Sequence, residues 1–293
     1  MPRSDSTDDW RLALARRIAS AYADDSNARV VMIAGSTGRG TADPWSDIEV
    51  DVYYEEPPTE AARRAAAEAS GGALVELGED EDEWEERLDL GGFHAHSSTF
   101  LVSTMERYLD EVLQGWSTSP DQQSRLFSVQ HAITVKGDDD VARWRARAAS
   151  YPGGLRDAML RENLGALERF YYGAEMLADR DDVLLLYNLF VDTGRRLIAA
   201  LLGLNRIYLP TPTEPKWMDE TIAMLAVAPP DLSARLKRSF RVEPAQGVAD
   251  LAALIDEALF LVESAAPGFD TRPYRRAAVA RRVPWDGPPP GFA

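Results

Sequence analysis

The chain contains no cysteine, so disulfides, thiolate metal sites and a cysteine nucleophile are excluded together. Lysine is scarce as well: Lys136, Lys216 and Lys237 are the only three, and arginine carries nearly all the positive charge. Long apolar runs are missing too. A membrane-spanning helix needs ~20 consecutive apolar residues, and the longest apolar pattern, Val183 to Leu202, is interrupted by Asp192, Arg195 and Arg196. The opening residues MPRSDSTDDW lack the apolar core of a signal peptide. These absences lead to the expectation of a cytoplasmic protein with no membrane partner. Basic charge is in deficit overall, since 48 acidic residues against 32 basic ones give a formal net charge of -16. So acidic a chain grips a phosphate backbone poorly, and large nucleic acids are not expected as substrates.

What is present is apolar material enough for two cores, 45% of 293 residues. Trp10, Leu12, Leu14, Ile18 and Tyr22 recur at helical spacing and predict a helix over Asp9 to Tyr22, followed by a strand over Arg29 to Ala34. A second strand is expected at Ile48 to Tyr54, an alanine-rich helix within EEPPTEAARRAAAEASGG, and a third strand at Ala73 to Leu77. The acidic run EDEDEWEE reads as a solvated loop without chemistry. GGFHAHSS reads as a strand, VSTMERYLDEVLQ as a helix and QHAITVKG as a last strand. After Tyr151-Pro152 the strand signals largely vanish. Helices are expected at Leu155 to Ala178, Val183 to Leu202, Glu220 to Leu225, Leu232 to Phe240 and Val248 to Ser264. The expected organisation is a mixed α/β domain over residues 1–150, a helical domain over 151–280 and a proline-rich tail over 281–293.

The chemistry concentrates in VVMIAGSTGRGTADPWSDIEVDVYYEE, where an apolar run breaks on Gly35-Ser36 and resumes as a strand carrying acids. Asp47, Glu49 and Asp51 are each two apart, so an extended chain projects them from one face. Three carboxylates on one face repel each other unless a cation joins them or water separates them. The glycines at 35 and 40 have P-loop spacing, but Thr41 stands where the P-loop lysine must be, and a strand follows where a helix should. A dinucleotide fingerprint also fails, because the order Gly-x-Gly-x-x-Gly is absent.

Strand, Gly35-Ser36, a loop with Arg39, and then Ser46-Asp47-Ile48-Glu49 together resemble the nucleotidyltransferase superfamily related to DNA polymerase beta. More locally, GSTGRGTADPWSDIEV, with YPGGL at Tyr151 to Leu155 and LLGLNRIYLPTPTEPKW further on, is similar to the bacterial small-molecule subgroup that includes aminoglycoside and lincosamide nucleotidyltransferases and carries a helical domain of unknown function. The resemblance implies an α/β (α+β) nucleotidyltransferase domain with a mixed sheet, followed by an all-α domain. It implies transfer of a nucleoside monophosphate from an NTP, by default ATP, to a small-molecule or protein acceptor held between the domains. Asp47 and Glu49 would bind Mg²⁺, two ions in all, bridging to the triphosphate. Gly35, Ser36 and Arg39 would cradle the phosphates, and Lys216 would reach them from a proline-stiffened loop. Members of the family usually place a third carboxylate on a later strand. The corresponding GGFHAHSS offers only His94 and His96, either of which could act as base or metal ligand, while Asp51 could supply the missing oxygen. That departure keeps a second expectation open, a catalytically silent nucleotide-binding or antitoxin-like module on the same fold.

Overall fold

The computed structural model describes residues 8–80, 82–211, 218–279 and 287. Its contacts divide the chain into two units, Met1–Gly115 with Gln122–Ser150, and Trp116–Asp121 with Tyr151–Ala293. In the first unit, helix α1 (Asp8–Ala23) turns Ala15, Ile18, Ala19 and Tyr22 inward at helical spacing. Strand β1 (Ala28–Ile33) is apolar without alternation from Val30 onward, and Val30 to Ile33 are buried accordingly, as a central strand covered on both faces must be. A single helical turn, α2 (Gly35–Gly38), follows directly, and β2 (Ile48–Tyr54) returns antiparallel to β1.

Helix α3 (Glu60–Ala69) starts at Thr59, whose hydroxyl accepts from the Ala62 N–H. It leads into the antiparallel strands β3 (Ala73–Asp80), β4 (Glu83–Asp89) and β5 (His94–Leu101). Helices α4 (Val102–Leu113) and α5 (Pro120–His131), strand β6 (Ile133–Lys136) and helix α6 (Asp138–Ala148) complete this part of the chain. The sheet order is β3-β4-β5-β2-β1-β6; β2 and β5 are parallel and the other neighbours antiparallel.

Alternation along the strands gives the sheet two faces. Ile48, Val50, Val52 and Tyr54 of β2 join Ala95 and Leu88 against α1 and α3 in one apolar core. Glu49, Asp51 and Tyr53 point the other way, where Tyr53 meets Phe100 (5.5 Å between ring centroids) and the buried Trp144 of α6 (5.0 Å).

The described residues of the acidic run expected as a solvated loop lie mostly in strands β3 and β4, and this is a correction to the reading of the sequence. Trp84, Glu86 and Leu88 alternate inward, and Glu86 is fully buried because Arg63 of α3, itself buried, pairs with it. The Arg63 Nη2 also donates to the carbonyls of Gly78 (2.8 Å) and Glu85 (3.1 Å), so the buried guanidinium is satisfied on several sides. Helix α5 had no counterpart in the sequence reading. Its polar Gln123 and Ser124 are as buried as Leu126 and Phe127, which blurs the apolar stripe.

The second unit is helical: α7 (Gly153–Ala166), α8 (Glu168–Asp179), α9 (Val183–Leu204), α10 (Met218–Ala223), α11 (Leu232–Ser239), α12 (Pro244–Ala265) and α13 (Arg272–Val279). The stretch expected as one helix from Leu155 to Ala178 breaks at Leu167 into α7 and α8. Phe190, Leu197 and Leu201 of α9 meet Leu251, Leu254 and Leu259 of α12 in its core. Asn205 closes α9, donating to the carbonyls of Leu201 and Val227 and accepting from the Val227 N–H, while Arg206 donates to the carbonyl of Tyr151 at 2.7 Å. The Asn-Arg-x-Tyr segment is thus a helix end. The chain therefore folds as a mixed-sheet α/β unit followed by an all-helical one. Apart from residue 287, the proline-rich tail lies outside the described residues.

Candidate active site

At the end of β1 the backbone enters the left-handed region at Gly35, with φ of +59°. A side chain there would be strained, and it would also collide with Glu49: a Cβ would lie 2.6 Å from the Glu49 carboxyl carbon and within 2.9 Å of both oxygens. The Ala34 N–H donates to the Glu49 carbonyl at 2.9 Å, which fixes the turn against the start of β2. Glycine at 35 is therefore the condition for laying backbone against the Glu49 carboxylate. Ser36 is buried inside the helical turn.

The loop that follows is shaped by its own polar groups. Ser46 Oγ accepts from the Asp43 N–H and donates to Asp43 Oδ1, both at 2.9 Å, while the Trp45 N–H donates to Asp43 Oδ1 at 3.0 Å. This turn buries Ser46, leaves Trp45 95% exposed, and delivers the chain to Asp47 at the mouth of β2. Arg39 lies against α5 with its guanidinium 6.0 Å from the centre of the Phe127 ring. Desolvation, then the charges of Arg39 and Arg145, hold His131 below the ordinary histidine value, so this third histidine of the chain stays neutral near pH 7.

The three aligned acids meet different surroundings. Asp47 is 43% exposed and Glu49 half-buried, whereas Asp51 is buried. Asp51 accepts from Ser128 Oγ at 2.6 Å and from Arg125 Nη1 at 3.3 Å, so its charge is answered by α5. Arg125 also lies over the Phe100 ring, 4.4 Å from its centre. Desolvation opposes the charge of Arg125, but Asp51, with Tyr53, Glu83 and Glu49 behind it, outweighs that and holds the guanidinium above the ordinary arginine value.

On β5, His96 is the register partner of Glu49 across the parallel pair. Its Nδ1 lies 3.2 Å from Glu85 Oε1 and its Nε2 3.5 Å from Asp47 Oδ2. His94 is exposed at the first position of β5, opposite Asp89 of β4. Asp47, Glu49 and His96 are thus gathered at one place, with Gly35 against Glu49. Asp51 is occupied deeper on the same face, and Lys216 lies outside the described residues.

Sequence reasoning missed Glu85, Arg125 and Ser128. The alternation Trp84-Glu86-Leu88 could have signalled that Glu85 shares a face with the site, but α5 gave no comparable signal. Among the described residues no group of three or more histidine or acidic side chains is arranged to hold a metal ion. Two carboxylates, however, are what a small hard divalent cation commonly takes from protein when phosphates and water supply the rest, and Asp47 and Glu49 fit that pattern.

Comparison with known proteins gives three findings. A family model described as a domain of unknown function, DUF4037, matches residues 116–218. No curated protein matches the chain. Among solved structures, the chain is similar to a nucleotidyltransferase-like protein from Exiguobacterium sibiricum 255-15, with 12% identity, a TM-score of 0.43, and coverage of 87% of this chain and 77% of that one.

Proposed function

We propose that the protein is a metal-dependent nucleotidyltransferase that moves a nucleoside monophosphate from an NTP, with ATP as the donor, to a hydroxyl of a small-molecule or protein acceptor. The observation that carries this reading is the placement of Asp47 and Glu49 two apart at the mouth of β2, with the Gly35 backbone packed against the Glu49 carboxylate. In this reaction the acceptor oxygen bonds to the α-phosphorus, the bond from that phosphorus to the pyrophosphate oxygen breaks, and the hydroxyl proton is released. A divalent ion, when bound, offsets charge on the triphosphate and on the leaving pyrophosphate. Asp47 and Glu49 would hold it through their carboxylate oxygens. Arg125, fixed by Asp51, keeps a permanent positive charge beneath the site.

The decisive experiment is incubation with a divalent cation and each labelled NTP against an acceptor panel, reading pyrophosphate release and product mass. Asp47→Asn and Glu49→Gln should each abolish transfer while unfolding at the same or a higher denaturant concentration than the parent. Full turnover by either variant would remove the assignment. One observation favours the silent-module alternative: Asp51 is occupied by Arg125 and Ser128, so no third acid joins the pair. NTP binding at the site with no pyrophosphate released under any acceptor would decide for it.

A further inference from the structure

His96 stands between two carboxylates, and a neutral imidazole has one N–H to give. If Nδ1 donates to Glu85 at 3.2 Å, the Nε2 lone pair faces Asp47 Oδ2 at 3.5 Å, two electron-rich atoms opposed across a gap too long for a hydrogen bond. A cation held in that gap would meet both lone pairs.

The geometry suits a cation. Two ligand bonds of about 2.1 Å to one ion span such a separation at close to the tetrahedral angle. The register pairing of Glu49 with His96 brings a second carboxylate alongside. A histidine that binds metal through one nitrogen almost always gives its other N–H to a carboxylate or carbonyl, which is the part Glu85 plays here.

We infer that His96, oriented by Glu85, is a nitrogen ligand to a divalent ion shared with Asp47, and that the site therefore favours an imidazole-accepting transition-metal ion over Mg²⁺, with Mn²⁺ serving as the paramagnetic probe. This rests on the nucleotidyltransferase reading for the presence of an ion but not for its ligands. Asp47 and His96 are then the two side chains that hold the ion. The lone pair of Nε2 is then taken up by the ion, and the proton of the acceptor hydroxyl goes to water.

The test is Mn²⁺ binding to the full chain without nucleotide, read by electron paramagnetic resonance. Pulsed measurements should show modulation from an imidazole ¹⁴N that disappears in His96→Ala and in His96→Asn. Mn²⁺ affinity should fall tenfold or more in both variants, with Mg²⁺ affinity changing less. Glu85→Gln should keep the ¹⁴N signal while weakening Mn²⁺ by about 10- to 100-fold, the usual cost of losing an orienting partner. Mn²⁺ that binds without ¹⁴N modulation, is unaffected at His96 and is lost in Asp47→Asn would overturn this inference and leave the proposed activity standing. Mn²⁺ binding indifferent to both Asp47→Asn and His96→Ala would overturn both.

Discussion

The two faces of the sheet in the first unit treat the same residue type in opposite ways. On the face covered by α1 and α3, Glu86 is fully buried and a single arginine answers it. One position earlier on the same strand, Glu85 is 53% exposed and turned toward His96. On the covered face a carboxylate is a structural element, tolerable only because Arg63 is there. On the other face, carboxylates at Asp47, Glu49 and Glu85 stay within reach of solvent. Charge that remains half-solvated can exchange its partners for a ligand; charge that is buried and paired exchanges them only at a large cost. Asp51 marks the transition, since it points to the second face yet is buried and held by α5.

The contrast can be broken most forcefully at Arg63. Arg63→Met leaves Glu86 charged in the core with only the Thr99 hydroxyl, 3.4 Å away, as a hydrogen-bond donor among the described residues, and should cost about 3–5 kcal/mol of unfolding free energy in a urea titration. Adding Glu86→Leu should restore most of that loss; a single variant as stable as the parent would show that Glu86 does not depend on its partner. Gly35→Ala tests the other face, where backbone and carboxylate approach closely. It should cost about 1–2 kcal/mol for a left-handed residue bearing a side chain, and it should also displace Glu49 and weaken divalent-ion binding measured by calorimetry. Unchanged ion affinity would separate Gly35 from the site. The smallest effect is expected at Glu85, whose change to Gln should move stability by no more than about 0.5 kcal/mol. A large destabilisation there would erase the distinction between the two faces.

Much of the architecture was legible because apolar pattern reports burial directly. The unbroken Val30-Val31-Met32-Ile33 and the spacing of Asp47 and Glu49 marked β1, β2 and the pair at the mouth. The acidic run of β4 was hidden because the partner that makes Glu86 a core residue lies in α3, and local composition carries no trace of a distant arginine. Helix α5 was hidden for a related reason. Its buried Gln123 and Ser124, and the half-buried Ser128 that donates to Asp51, look like surface residues until their surroundings are known. The role of Asp51 follows from the same helix, so a reading that missed α5 had no way to see that this acid was already occupied.

The parallel pairing of β2 with β5 also bears on how the site comes into being. β3, β4 and β5 can pair with their chain neighbours as hairpins, but β2 reaches β5 only after α3, β3 and β4 have been looped out between them. That closure is entropically costly and is recovered only when the long-range ladder forms. Glu49 and His96 face each other across this ladder, so a chain halted with its neighbouring strands paired but β2 not yet joined to β5 would hold the two halves of the site apart. Kinetically, acquiring the site and completing the sheet are one event.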